Sequence, residues 1–153
     1  MNNDIGILLD NLAPSQEAYL TLKQVNSLHE KFNFSLFTRE IKPFLTQPKC
    51  AVTSVDVAFN FHGTLIATNL ECARFLCNMY NLSRKFLYLF ELEWFNYSSY
   101  NPRNYADNLS IYRNPNLTIV TPSEEYQHLF KSYASRDSIV IPNFNIEKIW
   151  SIR

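Results

Sequence analysis

Glycine is scarce in this chain, with only Gly6 and Gly63 among 153 residues. Glycine-rich turns let backbone amides come close to a phosphate or a sugar. The sequence therefore contains no loop that could cradle a phosphate, which argues against a small nucleotide-binding domain of the flavodoxin kind.

Excess charge, paired cysteines and long apolar runs are absent as well. The 14 Lys and Arg residues balance the 14 Asp and Glu residues, so no net positive field attracts nucleic acid. Cys50, Cys72 and Cys77 are odd in number and lack CxxC spacing, which argues against a disulfide framework and a zinc site. No segment approaches the roughly 20 apolar residues that span a bilayer. We expect a protein without metal, other cofactor, nucleic-acid partner or membrane span, in a reducing cytoplasm.

The residues that are present suit one folded domain. The chain is 46% hydrophobic, 15% aromatic and 18% charged, which is too apolar for a disordered protein. Its length is that of one domain of ordinary size. We therefore expect residues 1–153 to form a single domain with a substantial core.

Short apolar runs typical of buried strands alternate with helical patterns along the chain. Strands are predicted over residues 5–10, 34–37, 51–57, 64–68, 86–90, 117–120 and 139–141. Three helices are predicted to begin near Ser15, Asn69 and Ser123, and a fourth helix is predicted over residues 105–112. This alternation predicts an α/β fold, namely a single Rossmann-like three-layer domain with a mostly parallel sheet of about six to seven strands.

Ligands of such sheets bind beyond the carboxyl ends of the strands. Polar residues follow most of the predicted strands, and those taken as candidates for substrate binding are Asp10, Asn11, Asn69, Glu91, Glu93 and Ser123. Asp10 is equally suited to cap the following helix. For Ser123 a helix cap is the favoured role, which is compatible with binding an anion at the same helix end.

Two glutamates in the segment FLYLFELEWF are the strongest chemical candidates. Glu91 and Glu93 alternate after a buried strand, so in an extended chain only one of them would face a cleft. A carboxylate there can accept hydrogen bonds from sugar hydroxyls, or act as a base if burial raises its pKa. Glu91 is the best candidate for a catalytic residue. The alternative is that both glutamates are solvated or cap a neighbouring helix.

Aromatic residues are concentrated in and after the same segment. Trp94 is a candidate for stacking on a sugar ring, with a core or rim position as the alternative. Tyr97 and Tyr100 lie in a loop rich in Tyr and Asn. They are candidates for contact with a protein partner or a second copy of the chain, with burial under a neighbouring helix as the alternative.

Three segments resemble GT-B glycosyltransferases in their order and spacing. TPSEEYQHLFKSY resembles the strand, Ser, Glu and helix element of that family, IVIPNFNIEKI resembles the segment that closes its N-terminal half, and FLYLFELEWF would be the preceding strand, whose end faces the acceptor cleft. The resemblance extends over residues 4–150 and is nearest to phage-type or bacterial enzymes. It implies the N-terminal Rossmann-like half without the C-terminal donor-binding domain. Residues 11–15 replace the glycine-rich turn of the family, and Phe144 stands where glycine is common.

The resemblance leaves two functions open. In the first, the chain is an acceptor-side domain that acts with a second domain or chain in sugar transfer from a nucleotide sugar, and binds that donor or a glycan acceptor. In the second, it is a catalytically inactive descendant that serves as a binding or protein-interaction module, in the host cytoplasm if the protein is viral. Activity of the isolated chain is not expected under either hypothesis.

Overall fold

One open sheet of seven parallel strands organises the described part of the chain. The structure is a computed structural model that describes residues 3–44, 46–95 and 102–153, with the backbone alone at residues 102 and 103. The strands are β1 (Asp4–Leu9), β2 (Asn33–Thr38), β3 (Ala51–Ser54), β4 (Thr64–Ala67), β5 (Arg84–Tyr88), β6 (Thr118–Thr121) and β7 (Ile139–Val140). Their spatial order is β3-β2-β1-β4-β5-β6-β7. The predicted α/β, Rossmann-like fold is confirmed.

The strands are connected mainly by helices, whose starts the sequence located well. The α-helices of the described residues are α1 (Gln16–Leu28), α2 (Leu70–Cys77), α3 (Pro102–Tyr112), α4 (Glu124–Ala134) and α5 (Ile146–Ser151). Ser15, Asn69 and Ser123 cap α1, α2 and α4, because each side-chain oxygen accepts a hydrogen bond from a backbone N–H in the first turn. These caps confirm three predicted helix starts.

The helices form two layers, one on each face of the sheet. Ile5, Ile7 and Leu9 of β1 pack in a cluster with buried residues of α1 and α5. Leu8, between them, packs in a second cluster with buried residues of α2, α3 and α4. Strand β1 is therefore apolar on both faces, as expected for a central strand of a parallel sheet.

Both glycines are required for close packing inside the fold. A Cβ atom on Gly6 would lie 2.2 Å from Leu65 Cδ2, and one on Gly63 would lie 2.3 Å from the carbonyl oxygen of Asp4. A Cβ on Gly63 would collide with the backbone, and one on Gly6 would force the buried side chain of Leu65 to move. The two glycines therefore serve the sheet itself, and neither lies in a turn that follows the carboxyl end of a strand.

Several element ends differ from the predictions. Strand β3 stops at Ser54 instead of residue 57, because the chain enters a 3₁₀ helix over Val55–Asn60. Helix α1 ends at Leu28 and helix α2 ends at Cys77. Helix α5 was not predicted. It has only six residues, and Asn145 caps it by accepting a hydrogen bond from the N–H of Lys148.

Tyr88 anchors the turn between β7 and α5. Its hydroxyl donates to the carbonyl of Ile141 at 3.0 Å and accepts from the N–H of Phe144 at 3.0 Å. Asn143 and Phe144 have φ values of 57° and 51°, a left-handed conformation that costs energy in residues other than glycine. The rings of Tyr88, Phe90 and Phe144 pack with centroids 4.8 to 5.0 Å apart. Packing and two hydrogen bonds thus hold a turn in which glycine would be unstrained.

We expect Tyr88→Phe to lower the free energy of unfolding by about 1 to 3 kcal/mol, because it leaves a buried carbonyl and a buried N–H without their partner. Urea denaturation measures the change. Tyr19→Phe is the control, since Tyr19 is exposed and its substitution should change stability by less than about 0.5 kcal/mol. Equal stability of the two variants would contradict the anchoring role.

Candidate functional site

A cleft opens at the point where the strand order reverses. Successive strands run outward from β1 through β2 to β3 on one side and from β4 to β7 on the other, and open α/β sheets bind ligands at such switch points. The cleft has a volume of about 260 Å³ and is lined by Asp10, Glu17, Thr68, Asn69, Glu71, Phe90, Glu91 and Glu93. Because five of these residues carry carboxyl groups and none is Lys or Arg, we call it the acidic cleft.

Four of the predicted substrate-binding residues meet in the acidic cleft. Asp10 follows β1, Asn69 follows β4, and Glu91 and Glu93 follow β5. Their meeting is the consequence of parallel pairing, which brings the carboxyl ends of neighbouring strands to one edge of the sheet. The four residues therefore share one location, and their role in substrate binding stays a prediction.

Other predicted site residues have local roles away from the lining of the acidic cleft. Asn11 accepts a hydrogen bond from the N–H of Ala13 at 3.0 Å, which fixes the turn before α1. Ser123 accepts from the N–H of Tyr126 at 3.3 Å, in the capping role that the sequence favoured. Tyr97 and Tyr100 lie outside the described residues, so their predicted role in an interface stays a prediction.

The expectation that only one of Glu91 and Glu93 faces a cleft is wrong. Strand β5 ends at Tyr88, and a 3₁₀ helix begins at Glu93. The alternation of side chains requires an extended chain, which does not continue here. Both carboxyl groups therefore line the same cleft.

Glu93 is held at the beginning of helix α2. Its Oε1 atom accepts a hydrogen bond from the backbone N–H of Leu70 at 2.7 Å. Burial raises the pKa of Glu93 to about 7, the hydrogen bond from Leu70 acts in the opposite direction, and the nearby carboxylates of Glu91, Asp10 and Glu71 raise it further. Glu93 is thus placed to exchange a proton near neutral pH.

Glu17 is the second carboxyl group with a raised pKa, and it is not among the site residues predicted from the sequence. It lies in the first turn of α1 and forms a hydrogen bond with the hydroxyl of Thr68. Burial raises the pKa of Glu17 to about 7, and the charges of Asp10, Glu93 and Glu91 add to this, whereas a hydrogen bond donated by Thr68 to the carboxylate acts in the opposite direction. An acidic residue in a first helical turn usually indicates only a favourable interaction with the helix dipole. The sequence signal that could have identified Glu17 as a site residue is its position at the start of the helix that directly follows the first strand.

The rim of the acidic cleft carries exposed ion pairs. Arg39 Nη1 lies 3.5 Å from Asp10 Oδ1, and Arg74 Nε lies 3.6 Å from Glu71 Oε1. Pairs this exposed contribute little to stability. The arrangement places ion-paired carboxylates at the rim and two carboxyl groups with raised pKa values deeper in the cleft.

Trp94 lies in an aromatic cluster beside α3 and α4. Its ring stacks on Tyr133 with a centroid distance of 4.4 Å and an interplanar angle of 1°, and it meets Tyr112 edge-on at 5.6 Å. One face of the indole is therefore covered, and Trp94 is not among the residues that line the acidic cleft. This position agrees with the core or rim alternative, and the stacking of Trp94 on a sugar stays a prediction.

The chain matches no protein-family model, no curated protein and no solved structure. The likeness to GT-B glycosyltransferases thus stays a prediction from three sequence segments. Within residues 3–44, 46–95 and 102–153, no three His, Cys, Asp or Glu side chains are grouped to hold a metal ion. Over the same ranges no helix has the length and apolarity needed to cross a membrane.

We expect stability to fall as the pH rises from 4.5 to about 7, and Glu17→Gln to weaken this dependence. Glu17 has a pKa of about 7 in the fold against 4.5 ordinarily, so the folded state keeps a proton that the unfolded chain releases. The resulting stabilisation, about 3 kcal/mol, is present below the lower value and is lost above the higher one. Glutamine cannot ionise, so the variant should be more stable than the original protein at about pH 8.

Urea denaturation at about pH 5 and about pH 8 measures this effect. Glu124→Gln is the matched control, since Glu124 also lies in a first helical turn but is exposed. That variant should keep the pH dependence of the original protein. An unchanged pH dependence in Glu17→Gln would show that burial does not hold a proton on this side chain.

Proposed function

We propose that the acidic cleft binds the hydroxyl groups of a sugar, and that the chain is the acceptor-side domain of a glycosyltransferase-like protein. The observation that carries the proposal is the grouping of five carboxyl side chains at the switch point of the sheet. Carboxyl oxygens accept hydrogen bonds, and sugar hydroxyls donate them. The volume of about 260 Å³ lies below the range of typical drug-sized sites, which suits one small ring.

The charge of the cleft favours a neutral acceptor over a nucleotide sugar. A diphosphate placed here would meet the carboxylates of Asp10, Glu71 and Glu91, and no Lys or Arg belongs to the lining. Like charges at short range repel. The nucleotide sugar would therefore be bound by a second domain or a second chain, as the resemblance to GT-B glycosyltransferases implies.

The reaction under this proposal uses a cleft carboxylate as the general base. The acceptor hydroxyl oxygen forms a bond to the anomeric carbon of the donor, and the bond from that carbon to the diphosphate breaks. The nucleoside diphosphate leaves with the bonding electron pair, and the hydroxyl proton passes to the carboxylate. Glu93 suits this role better than Glu91, because Glu93 is partly buried and has a pKa of about 7, close to the working pH of a general base.

The second candidate function is a protein-interaction module. Val57 and Phe59 in the 3₁₀ helix after β3 are each 50% exposed, and the ring of Phe59 packs on Phe75 with a centroid distance of 4.5 Å. Exposed apolar side chains that lie together are a common feature of interaction surfaces. This surface, which we call the Val57–Phe59 patch, favours the module and does not require the acidic cleft.

We expect neutral sugars, and not bare nucleotides, to raise the melting temperature of the purified chain. A ligand at 100 times its Kd adds about 2.7 kcal/mol to the stability of the folded state. Glu93→Gln should reduce the shift, because it removes a charged acceptor from the cleft. Glu125→Gln, an exposed change in the first turn of α4, is the control and should keep it.

Two results of this screen would contradict the proposal. Stabilisation by nucleotides that survives Glu93→Gln would place the ligand site outside the acidic cleft. An absence of stabilisation by every sugar tested would favour the interaction module, and would direct attention to the Val57–Phe59 patch.

A further inference from the structure

The hydrogen bonds of Thr68 determine where a proton lies in the acidic cleft. Thr68 is buried, and its Oγ1 lies 2.9 Å from the carbonyl oxygen of Leu8 while it also contacts Oε1 of Glu17. A hydroxyl group has one proton to donate, and a carbonyl has none. If Thr68 donated its proton to Glu17, its oxygen would face the Leu8 carbonyl without a proton between them. Both contacts are satisfied together when Glu17 is protonated and donates to Thr68, and Thr68 donates to Leu8.

The hydrogen-bond partner of Glu93 differs from that of Glu17, because it can donate a proton but cannot accept one. The backbone N–H of Leu70 can only donate, and it is the first residue of α2. A hydrogen bond from an N–H is stronger when the acceptor is ionised. The hydrogen bond from Leu70 therefore favours the carboxylate form of Glu93, against the burial that raises its pKa, whereas the two contacts of Thr68 favour the neutral acid form of Glu17.

We propose that Glu17 carries the proton and Glu93 the negative charge in the acidic cleft, with Thr68 as the residue that positions the proton. Glu17 then donates to Thr68 and offers its other oxygen to a ligand as a neutral acceptor. Glu93 offers a charged acceptor and is the group that receives the proton of a bound hydroxyl. Only the use of this division in sugar transfer rests on the proposed function.

The surrounding charges favour a state in which only one of the two carboxyl groups, Glu17 and Glu93, is ionised. Asp10 and Glu91 act on both Glu17 and Glu93, and Glu71 acts on Glu93. Arg39 and Arg74 are paired with Asp10 and Glu71 at the rim, and the Cys72 thiol lies buried beside the same carboxylates. Two neighbouring carboxyl groups in such a setting lose their protons in sequence, since the first charge opposes the second.

The test is a pH titration of the glutamate side-chain carboxyl groups by carbon-13 NMR in the full chain. Thr68→Val keeps the shape of the side chain but removes the acceptor of the Glu17 proton. We expect the titration midpoint of Glu17 to fall by about one pH unit, the worth of one such hydrogen bond. Thr68→Ser restores the hydroxyl and should restore the midpoint. A midpoint that rises or stays constant in Thr68→Val would overturn the proposal, because Thr68 would then donate to the carboxylate or play no part.

A second pair of variants gives an independent readout if Thr68→Val does not fold. When Glu93 ionises first, its charge opposes the ionisation of Glu17, so Glu93→Gln should lower the midpoint of Glu17. Glu17 is still neutral when Glu93 titrates, so Glu17→Gln should leave the midpoint of Glu93 nearly unchanged. The reverse asymmetry, or equal shifts in both variants, would overturn the assignment. None of these readouts requires a bound sugar, so failure of the sugar screen leaves this test intact.

Discussion

The parallel pairing of β1 with β4 is the constraint on which the site depends. The chain leaves β1 toward α1 on one face of the sheet and leaves β4 toward α2 on the other face. These departures open the acidic cleft between the two strands. The pairing also continues one residue beyond β4, since the N–H and the hydroxyl of Thr68 both bond to the carbonyl of Leu8. This extension brings Thr68 against the first turn of α1, and so against Glu17.

The acidic cleft differs from the phosphate-binding sites that dinucleotide-binding folds have at the same position. Dinucleotide-binding folds place glycine-rich turns and exposed helix amides at the switch point. Here the first amide of α2 is already bonded to Glu93, Glu17 lies in the first turn of α1, and both glycines are used in packing the sheet. The same topology therefore presents acceptors for hydrogen bonds where the dinucleotide folds present donors. Burying two carboxyl groups costs stability, which is a common property of functional sites.

The sequence predicted features that depend on local physics and missed those that depend on distant contacts. Apolar runs and the caps Ser15, Asn69 and Ser123 were sufficient for the strands and most helices, because a cap needs only the next three residues. The positions of Asp10 and Asn69 in the site followed from parallel pairing. Glu17 was missed because its partner Thr68 lies 51 residues away. Glu91 and Glu93 were expected on opposite faces only in an extended chain, and the chain leaves the extended conformation after Tyr88.

Binding of sugar hydroxyls in the acidic cleft is tested by an amide NMR titration of the labelled chain with neutral monosaccharides. We expect saturable shifts grouped at residues 8–10, 68–71 and 91–93, where the cleft is built from three strand ends. Shifts grouped instead around Val57 and Phe59, or no saturable shifts with any sugar, would contradict it.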